Sequence, residues 1–299
     1  MRHRIFGGIA TAALVAGLLA APASASSSRP YRVNIDAAGL EPLAGAFYEV
    51  WVVAGDKKIS AGSFNVDSEG NLVDGFGHEA RFLSTRNPAS ADAIVVTIEP
   101  LPDADPGPSG IIVLAGTPKA KKGTAKLKFP VKLGSASGSF ILATPTNTPN
   151  DTDETSGIWF LDPAAGPGAS LTLPTLPEGW IYEGWGVTQG TPLSSGRFMS
   201  VTGADDSATF SGPTAGPPFP GEDFLTNLPG AVTLPIDFAD GASLVVVSIE
   251  PYLNGVDPTG PAPFSIKPLI GMVPSGQADH TSVALGLDTS TVPSGTASF

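Results

Sequence analysis

The strongest constraint on this chain is an internal repeat. Tyr48-Glu49-Val50-Trp51, followed by Ile59-Ser60-Ala61-Gly62-Ser63-Phe64, returns as Tyr182-Glu183-Gly184-Trp185, followed by Leu193-Ser194-Ser195-Gly196-Arg197-Phe198. The register is fixed, since 182 − 48 and 198 − 64 both equal 134. A constant offset across two separate motifs calls for two copies of one folding unit. It assigns no chemistry by itself.

Later landmarks also recur. The apolar run Ala93–Pro100 answers Leu244–Pro251 at an offset of 151, so the second copy carries 151 − 134 = 17 additional residues. They fall in the Gly/Pro-rich stretch Ser211 to Gly230, which contains Glu222-Asp223-Phe224. A connection that long without structure of its own is usually functional or mobile. Thr124–Phe129 with Ser137–Phe140 resembles Ser282–Leu287 with Ser294–Phe299, so the chain is expected to end on a strand.

Local patterns read as strands. Tyr31 to Asp36 alternates apolar and polar residues, and Ala169 to Leu173 is expected to play the same role in the second copy. Phe47 to Val53 places Tyr48, Val50 and Val52 on one face, with Glu49 and Trp51 on the other. With 36 glycines, 30 prolines and 41% hydrophobic residues, short strands joined by tight turns fit the composition better than helices or disorder. The expected fold class is all-β, two tandem antiparallel β-sandwiches.

The N-terminus limits where such a chain works. Arg2 and Arg4 precede an apolar run from Ile5 to Ala21 and the small-x-small site Ala23-Ser24-Ala25. This is the pattern of a secretory signal peptide cleaved after Ala25. The expected organisation is therefore a signal peptide at 1–25, a first copy at 26–140 and a second at 141–299 with the insertion at 211–230. The mature protein is expected to be secreted or periplasmic, with no membrane span. Absence of cysteine excludes disulfides and thiolate chemistry. Loss of Arg2 and Arg4 would leave 14 basic against 28 acidic residues, a balance that repels nucleic acid and anionic lipid.

The ordered series Tyr-Glu-x-Trp, a turn, Ser-x-Gly-x-Phe, an apolar strand closing in Ile-Glu-Pro and a Pro-Ser/Thr-Gly loop resembles the C-terminal extracytoplasmic domain of anti-sigma-K factors. In the first copy its residues are Tyr48, Glu49, Trp51, Ser60, Gly62, Phe64, Glu99, Pro100, Pro108, Ser109 and Gly110. In the second they are Tyr182, Glu183, Trp185, Ser194, Gly196, Phe198, Glu250, Pro251, Pro258, Thr259 and Gly260. The resemblance implies an outer, sensor-like β-sandwich without catalytic residues. Anti-sigma-K factors also carry a cytoplasmic sigma-binding segment and a transmembrane helix. Neither is expected here, so direct sigma-factor binding is not expected either.

Candidate sites follow from residue type. Glu49 and Glu183 share a strand face with Trp51 and Trp185, so each carboxylate needs hydrogen-bond donors or a proton. The candidate binding residues are Glu49, Glu183, Trp180, Glu222, Asp223 and Phe224. Glu99 and Glu250 end apolar strands and, with Glu49 and Glu183, suggest the paired carboxylates of a glycoside hydrolase as a competing reading. Asp67–Asn71 and Asp151–Glu154 look oxygen-rich, yet neither completes a twelve-residue calcium loop. His78 and His280 stand in no nucleophile elbow. No catalytic set, metal or cofactor is expected. The sequence favours a non-catalytic binding, sensing or structural role at the cell envelope, with an envelope protein or glycan as partner. The alternatives are a regulatory partner of a membrane anti-sigma factor, and a hydrolase of polysaccharide or peptide.

Overall fold

The computed structural model describes residues 29–149, 152–164, 166–253 and 255–299. The expected signal peptide lies outside the described residues. The strands of the first half are β1 (Tyr31–Ala38), β2 (Ala46–Ala54), β3 (Lys57–Val66), β4 (Leu72–Val73), β5 (Phe82–Ser84), β6 (Ala93–Pro100), β7 (Ile112–Gly116), β8 (Thr124–Lys128) and β9 (Gly138–Leu142). Those of the second are β10 (Gly157–Trp159), β11 (Leu161–Asp162), β12 (Gly168–Ala169), β13 (Trp180–Thr188), β14 (Thr191–Phe198), β15 (Gly221–Asp223), β16 (Leu244–Pro251), β17 (Leu269–Met272), β18 (Val283–Leu287) and β19 (Ser294–Ser298). Among the described residues the regular structure is strand with short 3-10 turns, so the protein is all-β and its ladders are antiparallel. No described helix is long and apolar enough to cross a membrane.

Two large sheets carry the fold. The first runs β4-β3-β2-β6-β7-β8-β19-β1-β5 and the second β14-β13-β16-β17-β18-β9-β10-β15. Apart from the short β4, the two orders correspond strand for strand. Each sheet curls until its ends approach: β5 lies against β3 and β15 against β14. The sandwich-like halves are therefore close to barrels.

The correspondence reveals an exchange. β9 follows β8 in sequence but joins the second sheet, between β18 and β10. β19 follows β18 but joins the first sheet, between β8 and β1. Each half thus supplies one interior strand to the other. The register is closed at both seams, with Phe140 opposite Val283 and Ala297 opposite Ala125.

Packing follows the alternation. Tyr48, Val50 and Val52 of β2 meet Ile94, Val96 and Ile98 of β6 in the interior, and Tyr182, Val245, Val247 and Ile249 do the same in the second half. One apolar cluster runs through both halves. At the junction the Trp180 ring stands edge-on to Phe129 at 5.2 Å and lies 6.0 Å from Phe264. A smaller cluster of Ile141, Ala143, Trp159, Leu161 and Phe219 forms beside β9.

Two local expectations change. Ala169 to Leu173 does not take the place of β1; Gly157–Trp159 does, and Ala169 pairs only in the β11–β12 hairpin. The stretch Ser211 to Gly230 is not devoid of structure, because Gly221–Asp223 pairs with β10.

Candidate functional site

The repeated motif is a hairpin whose side chains have identifiable partners. Tyr48 pairs with Phe64 and Tyr182 with Phe198, and their rings stack at 5.1 Å and 5.9 Å. The Tyr48 hydroxyl donates to the Glu41 carbonyl at 2.9 Å, and that of Tyr182 to the Pro174 carbonyl at 2.6 Å. Between Ser and Phe each returning strand bulges, against Val50/Trp51 and against Gly184/Trp185. The bulge puts Gly62 at φ 137° and Gly196 at φ 120°, a region open to glycine and costly for other residues. This is the physical reason for Ser-x-Gly-x-Phe.

Behind the hairpin, each half builds the same polar relay. The Trp51 indole donates to Thr97 Oγ1 at 2.8 Å, and Thr97 in turn donates to Glu99. The Trp185 indole donates to Ser248 Oγ at 2.8 Å, and Ser248 donates to Glu250. The carboxylates also accept backbone N–H groups, from Ser109 at 3.0 and 3.1 Å onto Glu99 and from Phe264 at 2.9 and 3.2 Å onto Glu250. Glu99 and Glu250 are buried, at 1% and 0% exposure, so these bonds answer the cost of removing them from water. Each relay ties the end of an apolar strand to the loop that follows it.

Glu49 and Glu183 sit next to these relays. Each accepts the hydroxyl of the motif serine, Ser60 and Ser194 respectively. Burial pushes the Glu183 carboxyl up to about 7, opposed by Ser194 and the nearby Arg197. Glu250 is pushed up to about 8 by burial, opposed by Ser248 and the Phe264 N–H. Burial raises Glu49 and Glu99 as well. Arg197, which pairs with Asp206 at 3.1 Å and lies 4.9 Å over the Tyr252 ring, has Ser63 as its counterpart in the first half.

A third carboxylate group fixes the 211–230 segment. Glu222 accepts from the Ser211 hydroxyl and the Phe210 N–H. Asp223 accepts the Trp159 indole at 2.6 Å, the Thr146 hydroxyl at 2.5 Å and the Thr146 N–H at 2.7 Å. Asp205 accepts the Gly221 N–H at 2.8 Å, and burial pushes its carboxyl up to about 7. Beside them, Trp159, Phe219, Asp205 and Thr214 border a cavity of about 490 Å³.

The structure places the candidate residues as follows. Glu49 is half-buried and Glu183 buried, one in each half. Trp180 is 2% exposed at the junction and its indole N–H has no partner among the described residues, so its ring works as packing rather than as a surface platform. Glu222, Asp223 and Phe224 are fully buried, with Phe224 against Phe210 and Phe238 at 5.7 and 5.3 Å. Glu222 and Asp223 come together with a further acid, Asp205, and Glu183 with Glu250 and Asp257; sequence reasoning missed Asp205 and Asp257 for want of any motif around them. Trp51 and Trp185 are buried but stand outside the main apolar cluster, on the relay face.

Other candidates resolve as turns. Asp67 accepts the Glu69 and Asn71 N–H groups, each at 2.9 Å, which makes an Asx turn of the first oxygen-rich stretch. In the second, Asp151 lies outside the described residues. Among the described residues no three His, Asp or Glu side chains are grouped to hold a metal ion. His78 and His280 are exposed beside Asp74 and Asp279.

With this geometry in view, residues 7–112 match the family model described as anti-sigma-K factor rskA, C-terminal. This stretch is similar to that family. The match takes in the first hairpin, the first relay from Trp51 to Glu99 and the Pro108-Ser109-Gly110 loop. The second half, which lies beyond the matched residues, repeats the hairpin and relay of the matched stretch in its own sheet. No curated protein and no solved structure matches the chain.

Proposed function

We propose that this protein is an extracytoplasmic, non-catalytic binding module at the cell envelope, in which the anti-sigma-K factor outer domain is doubled. The observation that carries this reading is the relay present in both halves. The acids that stand out in the sequence, Glu99 and Glu250, spend their oxygens on a hydroxyl and a backbone N–H within the framework. Groups committed to holding a loop are poorly placed to exchange protons with a substrate. The family match supports a link to envelope regulation, with a membrane anti-sigma protein as the partner of most interest.

Two measurements test this. N-terminal sequencing of the protein recovered outside the cytoplasm should begin at Ser26; recovery of an uncleaved chain in the cytoplasm would defeat the envelope role. Cross-linking on intact cells, with the protein as bait, should capture an envelope protein by an interaction that Glu49→Gln and Glu183→Gln leave intact. Glycan or peptide hydrolysis by the folded wild type that either variant abolishes would instead establish the hydrolase.

A further inference from the structure

The two halves carry their charge unequally. From Pro106 to Pro149 the chain has six lysines, Lys119, Lys121, Lys122, Lys126, Lys128 and Lys132, and no acid. All six are exposed, and none forms an ion pair among the described residues. From residue 151 onward the only lysine and arginine, Lys267 and Arg197, are half-buried and stand against sixteen acids. The fold does not require the lysines. β8 and β18 hold corresponding places in their sheets, yet Lys126 and Lys128 in the first answer the exposed Ala284 and Gly286 in the second. At the same offset of 158, Lys121 answers Asp279.

The charges also collect at opposite ends. The halves meet where Phe129, Trp180 and Phe264 pack together and Gly45 lies against the Pro258 carbonyl. β2 leaves this junction at Ala46 and β8 returns to it, so the turns before β3 and β8 lie at the far end of the first half. These turns hold Lys57, Lys58, Lys119, Lys121 and Lys122, with Asp56 and Asp92 beside them. By the same path, the segments before β16 and β18 lie at the far end of the second half. Hydrogen bonds bind that end together: the Gly276 N–H donates to the Ala239 carbonyl at 2.8 Å, and the Ser156 hydroxyl donates to the Ile236 carbonyl. It exposes Asp153, Asp237, Asp240 and Asp279, with His280 as the one ionisable base on these segments.

We propose that the protein assembles head to tail, the lysine end of one copy docking on the acidic end of the next. The two surfaces differ, so the contact is heterologous, and each docked copy leaves one end of each sign free to extend the chain. Complementary exposed charges steer such an encounter and fix its orientation. An anionic polymer would use the lysines but leave the acidic end without a partner; a second copy uses both. The inference goes beyond the envelope partner proposed above and needs no part of it.

Sedimentation velocity over a concentration series tests it, at about 0.01 M salt, where exposed charges act over about 30 Å, and at about 1 M, where they act over about 3 Å. The average mass should rise at least about twofold with concentration at low salt and stay at one copy at high salt. Two charge reversals then identify the ends. One variant carries Lys119→Glu, Lys121→Glu and Lys122→Glu; the other carries Asp153→Lys and Asp279→Lys. Asp237 and Asp240 are left alone because their carboxylates accept the Ala239 and Ser243 N–H groups and hold the turn. Each variant alone should remain a single copy, and an equal mixture of the two should assemble again. Wild type that stays a single copy at low salt, a variant that assembles alone as wild type does, or a mixture that fails to assemble would each overturn the proposal. Single-copy wild type that binds polyglutamate, with the binding lost in the lysine variant, would give the lysines to an anionic polymer instead. None of these results bears on the cross-linking that tests the envelope role.

Discussion

At the residue scale, the relay explains why tryptophan, a hydroxyl and glutamate recur together. Thr97 is both acceptor for the Trp51 indole and donor to Glu99, so its hydroxyl satisfies two buried groups at once. Removing it strands both. Thr97→Val, which keeps the shape, is expected to cost about 2–3 kcal/mol, as leaving buried polar groups unpaired generally does. Glu99→Gln retains an acceptor for Thr97 and, because burial already favours the uncharged acid, should cost less, about 1 kcal/mol or under. Urea denaturation of both variants measures the order. Were Glu99→Gln the more damaging, the carboxylate would have to be acting as an anion and the relay would need another account.

At the element scale, the exchange of β9 and β19 makes each half depend on the other. Phe140 in β9 is fully buried and belongs to the cluster shared by both halves. Phe140→Ala should therefore destabilise the whole protein by about 3–5 kcal/mol, the usual range for such a core truncation. Exchange protection in β2 and in β13 should fall together, and chemical denaturation should remain a single transition. Loss of protection in the second half alone would mean that the halves fold independently. Much of each unit was legible beforehand, because a hairpin spans few residues and its Tyr–Phe pairing and bulge glycine leave a local signature. The exchange was not, since β8 meets β19 across most of the chain and nothing in Thr124–Lys128 says which antiparallel neighbour it takes. The same limit applies to Gly157–Trp159, three residues that displace the better alternating Ala169–Leu173 because β15 covers their outer edge. Glu222, Asp223 and Phe224 stand in a Gly/Pro-rich stretch that reads as a long loop; Asp223 is held by partners as distant as Thr146 and Trp159, which no local pattern announces.

At the scale of the whole molecule, the acid-rich composition and the buried relays combine into a pH response. Burial raises Glu49, Glu99, Glu222, Asp223 and Asp257, and takes Glu183 and Asp205 to about 7 and Glu250 to about 8. Unfolded, these groups titrate near about 4. A raised acid binds its proton more tightly in the native state, so its contribution is complete below about pH 4 and is lost as pH rises through its folded value. Asp67, Asp74, Asp240 and Asp288 shift the other way, held down by hydrogen bonds in turns, and their contribution fades only as pH drops below about 4. The two sets together put the stability maximum on the acid side of neutrality. Between pH 6 and 9 the native state holds protons that the unfolded chain has released. Unfolding free energy should then fall with pH, by up to about 1.4 kcal/mol per unit for each such proton. Denaturant midpoints at pH 5, 6, 7, 8 and 9 measure this, and replacing Glu183, Asp205 and Glu250 by their amides should flatten the profile. Stability that stayed level or rose between pH 6 and 9 would show that these carboxylates are ionised in the native protein, with Arg197 outweighing burial at Glu183 and solvent reaching Asp205 and Glu250.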